Sequence, residues 1–183
     1  MFTDSQKNLW IGSVDQGYTV SYHYKERFNN NNYLRSSLEN KSVIAIAAGT
    51  NQDLWISTLM NGVYLFDLKK QKLKLIDIEQ LFTPEKQKAI YVNQIFIDDS
   101  HAIWMTSNNN EVLKCRYVAG DLQVEERYFV QYPMSVTQGM DRTIWIGTAS
   151  VYIYALRPGD KAFRQIKVFE NFTFIPGLLP LED

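Results

Sequence analysis

Few side chains in this sequence are of the types that catalyse reactions or bind metal ions. It contains only two histidines, His23 in SYHYK and His101 in DDSHAIW. A zinc site needs three or four His, Cys or carboxylate ligands, so two histidines alone cannot build one. The chain has no Gly-x-Ser-x-Gly elbow and no glycine-rich phosphate loop. We expect both histidines to lie in turns or at strand ends, and we expect no metal ion or other cofactor.

Carboxylates are the remaining catalytic candidates, since a glycosidase needs only two of them. Two adjacent pairs stand out, Asp98 with Asp99 and Glu125 with Glu126. Asp98 occupies a turn, where a carboxylate accepts backbone hydrogen bonds, and the two glutamates lie in a strand-like run where charge faces water. The aspartate box of sialidase-type turns places Asp and Gly five and three residues before an aromatic residue, and no turn here has both. We therefore predict a chain without catalytic activity.

The single cysteine and the net charge also give no indication of a reactive site or of binding to nucleic acid or membranes. Cys115 cannot form an internal disulfide, and it lies in the strand-like run EVLKCRYV, which predicts a packed or edge thiol. The net charge of −1 gives no electrostatic footprint for nucleic acid or an anionic membrane. The densest positive run, KKQKLK (69–74), is predicted to be a solvated turn and edge strand.

Targeting signals are absent from the sequence. No apolar run reaches the ~18 residues of a membrane-spanning helix. The first ten residues, MFTDSQKNLW, lack the basic and apolar regions of a signal peptide. We expect either a cytoplasmic protein or an internal piece of a longer chain.

The most regular feature is a motif that occurs four times: NLWIGS (8–13), DLWIST (53–58), AIWMTS (102–107) and TIWIGT (143–148). A small residue and then a hydroxyl residue follow close behind the tryptophan, and two of the small residues are Gly12 and Gly147. The motif contains every tryptophan of the chain: Trp10, Trp55, Trp104 and Trp145. Six positions earlier stand turn-forming residues: Asp4, Gly49, Asp98 and Gly139. Agreement in several columns indicates an internal repeat.

Strand-like runs surround each motif. One follows every motif, at 17–23, 62–68, 111–118 and 151–158. A further run comes after a turn in the later units, at 72–77, 122–129 and 162–168. Apolar runs precede the last three motifs, at 42–48, 91–97 and 132–138. Only 78–88 resembles a helical turn, so each unit is predicted to be four short strands.

Four-stranded units of about 40–50 residues have the period of a β-propeller blade. The predicted fold is therefore all-β, with about four antiparallel blades of four strands each. The first blade is expected to be incomplete, because no strand run precedes its motif. We expect each tryptophan to pack between blades, and the small residue after it to let the next sheet approach.

The predicted units run approximately over 1–28, 42–77, 89–129 and 132–168, in a single propeller segment of residues 1–183. Residues 169–183 form a tail or linker, in which FTFI (172–175) either closes a small ring or leads into a further blade. Because an open arc exposes two blade faces, we favour a fragment of a larger propeller that self-associates through those faces.

The pattern Asp…Leu/Ile-Trp-Ile-Gly-Thr/Ser…Gly-Val/Leu-Tyr resembles the two-component regulator propeller repeat. VNQIFIDDSHAIWMTS (92–107) and DLWISTLMNGVYLFD (53–67) match best, and the resemblance extends over about 4–168. In that family, arrays of such blades form the periplasmic sensor region of membrane-bound hybrid two-component histidine kinases. Those systems typically switch on genes for the import and breakdown of complex carbohydrates.

The resemblance implies a non-catalytic periplasmic sensor segment that detects carbohydrate breakdown products and itself touches neither membrane nor nucleic acid. No kinase, receiver or DNA-binding motif is present, so the signalling output would lie outside this sequence. Some positions depart from the family pattern: Glu111 replaces the glycine seen at Gly17 and Gly62, and Gly49 and Gly139 replace the turn aspartate. These changes are expected to weaken individual turns.

Ligands of propellers usually bind the face formed by the second-to-third-strand loops and the connections between blades. The connection 29–41, NNNNYLRSSLENK, is long and polar, which favours a flexible insert. The alternative is that Tyr33 and Arg35, with Asn109 and Asn110, form a face for an oligosaccharide or a partner. Two other functions stay open: a protein-interaction scaffold without a small ligand, and part of a carbohydrate-active propeller enzyme.

Overall fold

Antiparallel strands dominate the computed structural model, which describes residues 2–4, 7–13, 17–21, 28–29, 31–83, 89–171, 175 and 177–178. The helix is α1 (Asn32–Ser37). The strands are β1 (Phe2–Thr3), β2 (Leu9–Ser13), β3 (Gly17–Ser21), β4 (Phe28–Asn29), β5 (Val43–Ala48), β6 (Asp53–Thr58), β7 (Gly62–Asp67), β8 (Lys72–Ile76), β9 (Val92–Ile97), β10 (Ile103–Ser107), β11 (Glu111–Val118), β12 (Asp121–Phe129), β13 (Pro133–Gln138), β14 (Ile144–Thr148), β15 (Tyr152–Leu156) and β16 (Arg164–Lys167).

Each set of four consecutive strands forms one antiparallel sheet, and the strands follow sequence order across it. We number these sheets first to fourth along the chain. Sheets of this kind are propeller-like blades, so the predicted all-β fold is confirmed. The chain divides into two compact units, Met1–Ile78 and Glu79–Asp183, each holding two sheets. The grouping of all repeats into a single propeller segment stays a prediction.

The first sheet also has four strands. Phe2 pairs with Trp10 and Thr3 pairs with Leu9, so β1 supplies the first strand. The prediction of an incomplete first blade was wrong, because two residues suffice for this strand and carry no detectable pattern. At the other end of the sequence, residues 172–174 of the expected strand FTFI lie outside the described residues.

The connection between the first and second sheets contains the helix α1, so its described part, 31–41, is not a flexible insert. The Asn31 Oδ1 atom accepts a hydrogen bond from the Leu34 amide at 3.1 Å and caps the helix. Leu34 and Leu38 lie four residues apart on one face and are buried in the core of the first unit. Of the helical turn predicted at 78–88, residues 79–83 form a turn and a bend, and 84–88 lie outside the described residues.

The turn before each tryptophan has the same backbone conformation in all four sheets. The residue three positions before the tryptophan is left-handed, with φ between 58° and 64°, although none is glycine: Lys7, Gln52, His101 and Arg142. In three of these turns its amide donates to the carbonyl oxygen three residues earlier, at 2.8–2.9 Å. A turn closed by a left-handed residue joins two antiparallel strands tightly, which explains why the motif always begins at the same point.

A carboxylate fills the centre of each turn. Asp4 and Asp98 accept the indole N–H groups of Trp10 and Trp104 at 2.9 and 2.8 Å. In the other two repeats, a Cβ placed on the glycine would lie 1.7 Å from a carboxylate oxygen of Asp53 and 3.0 Å from one of Asp141. In these repeats the turn aspartate therefore stands later in the sequence, and the lack of a side chain at Gly49 and Gly139 leaves space for its carboxylate.

In the last three repeats, the hydroxyl residue at the end of the motif forms a hydrogen bond across the turn that follows it. Thr58, Ser107 and Thr148 are fully buried. Each hydroxyl donates to the carbonyl oxygen four residues later, at 2.7, 2.9 and 2.5 Å respectively. A buried hydroxyl needs such a partner, so this column of the motif serves the tight turn from the second to the third strand.

Two of the four tryptophans, Trp10 and Trp104, pack between sheets of the same unit. Trp10 belongs to a buried cluster with Ile56 of the second sheet. Trp104 belongs to an equivalent cluster with Ile146 of the fourth sheet. Full burial of one such side chain contributes about 1.5–3 kcal/mol. These two clusters form the cores on which the loops are built.

The small residue two positions after the tryptophan is where the next sheet approaches. A Cβ on Gly12 would lie 3.4 Å from Val43 of the second sheet, an ordinary contact distance. Thr106 has the equivalent position in the third sheet, and its hydroxyl donates to the Met134 carbonyl of the fourth sheet at 3.4 Å. At both positions the neighbouring sheet lies against this column of the motif.

Gly147 has the equivalent position in the fourth sheet, where Ile175 lies against it. The Ile175 amide donates to the Thr148 carbonyl at 3.1 Å, and the Ser135 hydroxyl donates to the Ile175 carbonyl at 3.3 Å. A Cβ on Gly147 would lie 2.3 Å from the Ser135 Oγ atom and 3.0 Å from the Ile175 carbonyl oxygen. Glycine is therefore required here by close backbone approach.

We expect Gly147→Ala to lower the free energy of unfolding by about 1–3 kcal/mol, because its Cβ overlaps atoms that cannot move freely. Gly12→Ala is the matched control, and its Cβ meets only an ordinary contact. Urea unfolding of both variants measures the difference. Equal stabilities of the two variants would contradict the assignment of Gly147 as a close-approach site.

We expect Gln52→Gly to raise the free energy of unfolding by about 0.5–1 kcal/mol, since glycine relieves a left-handed φ at some entropic cost. Gln52 is exposed and its φ is 58°. Gln123→Gly on the exposed side of β12 is the control and should lower stability. Thermal unfolding of the two variants provides the measurement, and a loss of stability in Gln52→Gly would show that its side chain stabilises the turn.

Candidate functional site

Two of the predicted ligand-binding residues lie on α1 in the first unit. Tyr33 is 43% exposed; its ring stacks on Phe66 with centroids 6.2 Å apart, and its hydroxyl accepts from the Leu73 amide at 3.3 Å. Arg35 is exposed in the last helical turn. One face of Tyr33 is thus used to attach the helix to the second sheet, while Arg35 is open to solvent.

The other two predicted residues form the turn between β10 and β11 in the second unit. Asn109 is buried; its Oδ1 atom lies against the Ser107 hydroxyl, and its amide donates to the Glu111 Oε2 atom at 2.8 Å. Asn110 has a left-handed φ of 66°, and its Oδ1 atom accepts from the Tyr132 amide at 2.8 Å. Both amides stabilise the turn and its neighbours. A ligand role for these residues stays a prediction.

Glu111, which replaces the repeat's glycine, is the centre of a buried polar cluster, and its side chain is 1% exposed. Its Oε1 atom accepts from Arg127 and from the Thr83 hydroxyl, both at 2.6 Å, and its Oε2 atom accepts from Asn109 and from the Thr83 amide at 2.8 and 2.9 Å. Burial alone would raise the pKa of Glu111, but the hydrogen bonds from Thr83, Asn109 and Arg127 outweigh burial and lower it. Arg127 also binds the Leu81 carbonyl at 2.6 Å. This departure from the repeat therefore fixes residues 81–83 to the third sheet.

The remaining residues with side chains of catalytic type have structural roles. Glu125 pairs with Arg116 at 2.5 Å across β11 and β12, and Glu126 pairs with Lys114 in the same way. Cys115 is fully buried, and burial is the main reason that the pKa of its thiol rises to about 12. Such a thiol is packed and unreactive at neutral pH. His101 stands in its turn as predicted, and His23 lies outside the described residues.

A groove of about 370 Å³ lies between the third and fourth sheets of the second unit. This volume is within the range of about 300–1,000 Å³ found for small-molecule sites. Its walls include the turns 98–101, 139–142 and 157–160, at the end of the sheets opposite to Asn109. Charged side chains of both signs line it: Asp98, Lys114, Glu126, Arg142, Arg157 and Asp160. We call it the intersheet groove.

The inner wall of the intersheet groove is aromatic. Trp104 and Tyr128 stack with centroids 6.0 Å apart, and Phe163 packs edge-on against both rings. Only 2% of Trp104 and 8% of Tyr128 are exposed, so these rings shape the wall without offering a stacking surface. Recognition in this groove must therefore come from its polar groups.

Hydrogen bonds between side chains and backbone join the two sheets and set the spacing of the groove walls. They are Gln94 Oε1 with the Val136 amide at 2.8 Å, Asn93 Nδ2 with the Pro133 carbonyl at 2.7 Å, and Gln138 Oε1 with the Asp99 amide at 3.0 Å. Sequence reasoning missed this groove, because an exposed arginine in a turn has no distinguishing pattern. The spacing of the repeats does predict that two turns meet there.

No protein-family model matches this sequence, and no curated protein matches it. Solved structures do match the fold. Two are of the extracellular domain of BT4673 of B. thetaiotaomicron, named as a proposed one-component system in one case and a proposed hybrid two-component system in the other. Their TM-scores are 0.70 and 0.64, at 16% and 18% identity over 94% and 93% of this chain.

A third structure is the extracellular domain of a proposed hybrid two-component system, BT3049 of the same organism. Its TM-score is 0.67 at 16% identity over 96% of this chain. The chain spans only 22–28% of the length of these three structures. At these identities the likeness establishes the fold. Among the described residues, no helix is long and apolar enough to cross a membrane.

We expect Arg127→Met to lower the free energy of unfolding at pH 7 by about 3 kcal/mol, because Glu111 then lies buried without a cation. In the unchanged protein folding lowers the pKa of Glu111, so its stabilising effect is present at neutral pH and is lost progressively as the pH falls below the usual pKa of a glutamate and through the lowered one. In the variant that pKa rises, so the loss of stability should shrink at pH 4. Urea unfolding at both pH values measures this, with exposed Arg164→Met as control. An equal loss at pH 7 and pH 4 would contradict the ion-pair explanation.

Proposed function

We propose that this chain is a non-catalytic segment of the periplasmic sensor region of a membrane-bound hybrid two-component regulator. The observation that carries the proposal is the fold likeness along more than nine-tenths of the chain to extracellular domains of such systems. The four tryptophan motifs, which resemble the two-component regulator propeller repeat, support it independently. The chain's place within a longer protein follows from the proposal, since it spans about a quarter of those domains.

The signal that such a segment detects is proposed to be a breakdown product of a complex carbohydrate. The intersheet groove offers guanidinium and amide donors within a volume suited to a small sugar. A ligand can transmit a signal only if it binds two arrangements of the receptor unequally. The groove lies between two sheets, so a sugar that contacts both would favour one spacing of them.

A protein-binding scaffold is the second candidate, and it has an observation in its favour. Phe129 and Tyr132 are 73% and 53% exposed at the end of β12 and in the connection to β13. Exposed aromatic side chains are enriched where proteins meet. Tyr132 also has a left-handed φ of 51°, a backbone conformation that non-glycine residues rarely adopt.

The proposal predicts that the gene encodes a membrane-spanning helix and a histidine-kinase core after the present sequence. It also predicts that deleting residues 79–171 from the full-length receptor abolishes induction of a reporter gene by oligosaccharides. Chromatography of the same sugars incubated with the purified chain should show no cleavage. A gene without a kinase core, or a deletion that leaves induction intact, would refute the sensor role. Cleavage would favour the carbohydrate-active enzyme instead.

A further inference from the structure

The carboxylates of the intersheet groove have little capacity left to bind a ligand. The Asp98 Oδ1 atom accepts from the Ser100 amide and hydroxyl and from the Ala102 amide at 2.7–2.9 Å, and its Oδ2 atom accepts from Trp104. These bonds outweigh burial and lower the pKa of Asp98, so it stays ionised and occupied.

The other two acidic side chains of the groove also have partners. One oxygen of Glu126 binds Lys114 at 2.5 Å, and the other accepts from the Tyr128 hydroxyl. The Asp160 Oδ2 atom accepts from the Arg157 amide at 3.3 Å. Four of the six carboxylate oxygens are thus bound strongly and a fifth weakly, which leaves the groove poor in free acceptors.

Several hydrogen-bond donor groups of the groove, unlike most of its acceptors, are free among the described residues. Within the described part of the chain, the guanidinium groups of Arg142 and Arg157 have no hydrogen-bond or ion-pair partner. They come from two turns of the fourth sheet, 139–142 and 157–160, that lie at the same end of it. Gln138 uses its Oε1 atom for the Asp99 amide, so its Nε2 group is a third free donor.

One further carboxylate lies close enough to influence Arg157. The pKa of Asp141 is lowered chiefly by hydrogen bonds from the Thr143 amide and hydroxyl, at 3.0 and 2.8 Å, and least by the charge of Arg157. Asp141 is therefore held by its own turn. The free hydrogen-bonding groups of the groove carry a positive charge, although the six charged side chains that line it balance.

We propose that the intersheet groove binds an acidic saccharide, with Arg142 and Arg157 on its carboxylate or sulfate group and Gln138 donating to a hydroxyl. The saccharide part of this inference rests on the proposed function, whereas the anionic part rests on the free guanidinium groups. A guanidinium presents two parallel N–H donors that match a planar carboxylate, and charge-assisted pairs are stronger than neutral ones. A neutral sugar would leave both arginines hydrated and would gain less.

Calorimetric titration of the purified chain with three matched sugars tests the inference. The probes are a galacturonate disaccharide, a sulfated galactose disaccharide and neutral galactobiose. We expect at least one acidic disaccharide to bind more tightly than galactobiose, and to bind more weakly as sodium chloride is added. The two acidic probes distinguish carboxylate from sulfate as the recognised group.

Two arginine variants test whether the acidic disaccharide binds in the intersheet groove. Arg142→Gln and Arg157→Gln should each weaken binding of the acidic disaccharide about tenfold, the loss of one charge-assisted hydrogen bond. Arg164→Gln is the control, since Arg164 is exposed on the same sheet and does not line the groove. All three sites are exposed, so folding should be unaffected, and circular dichroism checks this.

The outcomes separate this inference from the proposed function. Equal binding of galactobiose, or acidic binding that both arginine variants leave unchanged, would overturn the acidic-saccharide site and leave the sensor role standing. Binding of none of the three probes would also overturn the site. The sensor role itself is tested by whether the gene encodes a kinase core, a result that does not involve these arginines.

Discussion

The geometry of the turn before each tryptophan is the constraint on which both units depend. A left-handed residue without glycine persists only where its surroundings fix it, and here a central carboxylate and the backbone hydrogen bonds do so. The turn sets where the second strand begins, and so places Trp10 and Trp104 in the cores between two sheets. It also directs Arg142 into the intersheet groove, because Arg142 is the left-handed residue of the fourth turn. The repeat and its candidate binding site therefore share one backbone feature.

Apolar packing and hydrogen bonds make different contributions to the contact between the two sheets of the second unit. The cluster around Trp104 and Ile146 removes apolar surface from water and has no strong directional preference. The side-chain bonds of Asn93, Gln94 and Gln138 to backbone of the neighbouring sheet are directional, so they fix register and spacing. A groove bounded in this way keeps its walls in place without a ligand, which limits the backbone ordering that binding requires.

The sequence predicted the parts of the fold that repeat, and it failed where a single unit differs. The four-stranded sheets and the roles of Gly12 and Thr106 follow from columns that recur. The strand β1 and the helix α1 were missed because two and six residues are too short for any periodicity to show. The groove was missed for another reason, since its free donors depend on which acidic groups already have partners. Hydrogen-bond partners formed across sheets are a property of three-dimensional structure, and residue types alone do not reveal them.

Glu111 has a consequence for how such an array can evolve. Repeat proteins lengthen and shorten by duplication and loss of whole units, which works best when units are interchangeable. The third unit is not freely interchangeable: a copy of the second in its place, with glycine at this position, would leave residues 81–83 without their attachment. A copy of the third unit placed elsewhere would keep Arg127 and Asn109 but would lose the two hydrogen bonds that Thr83 donates to the buried carboxylate. One side chain thus ties this unit to the connection that precedes it in the chain.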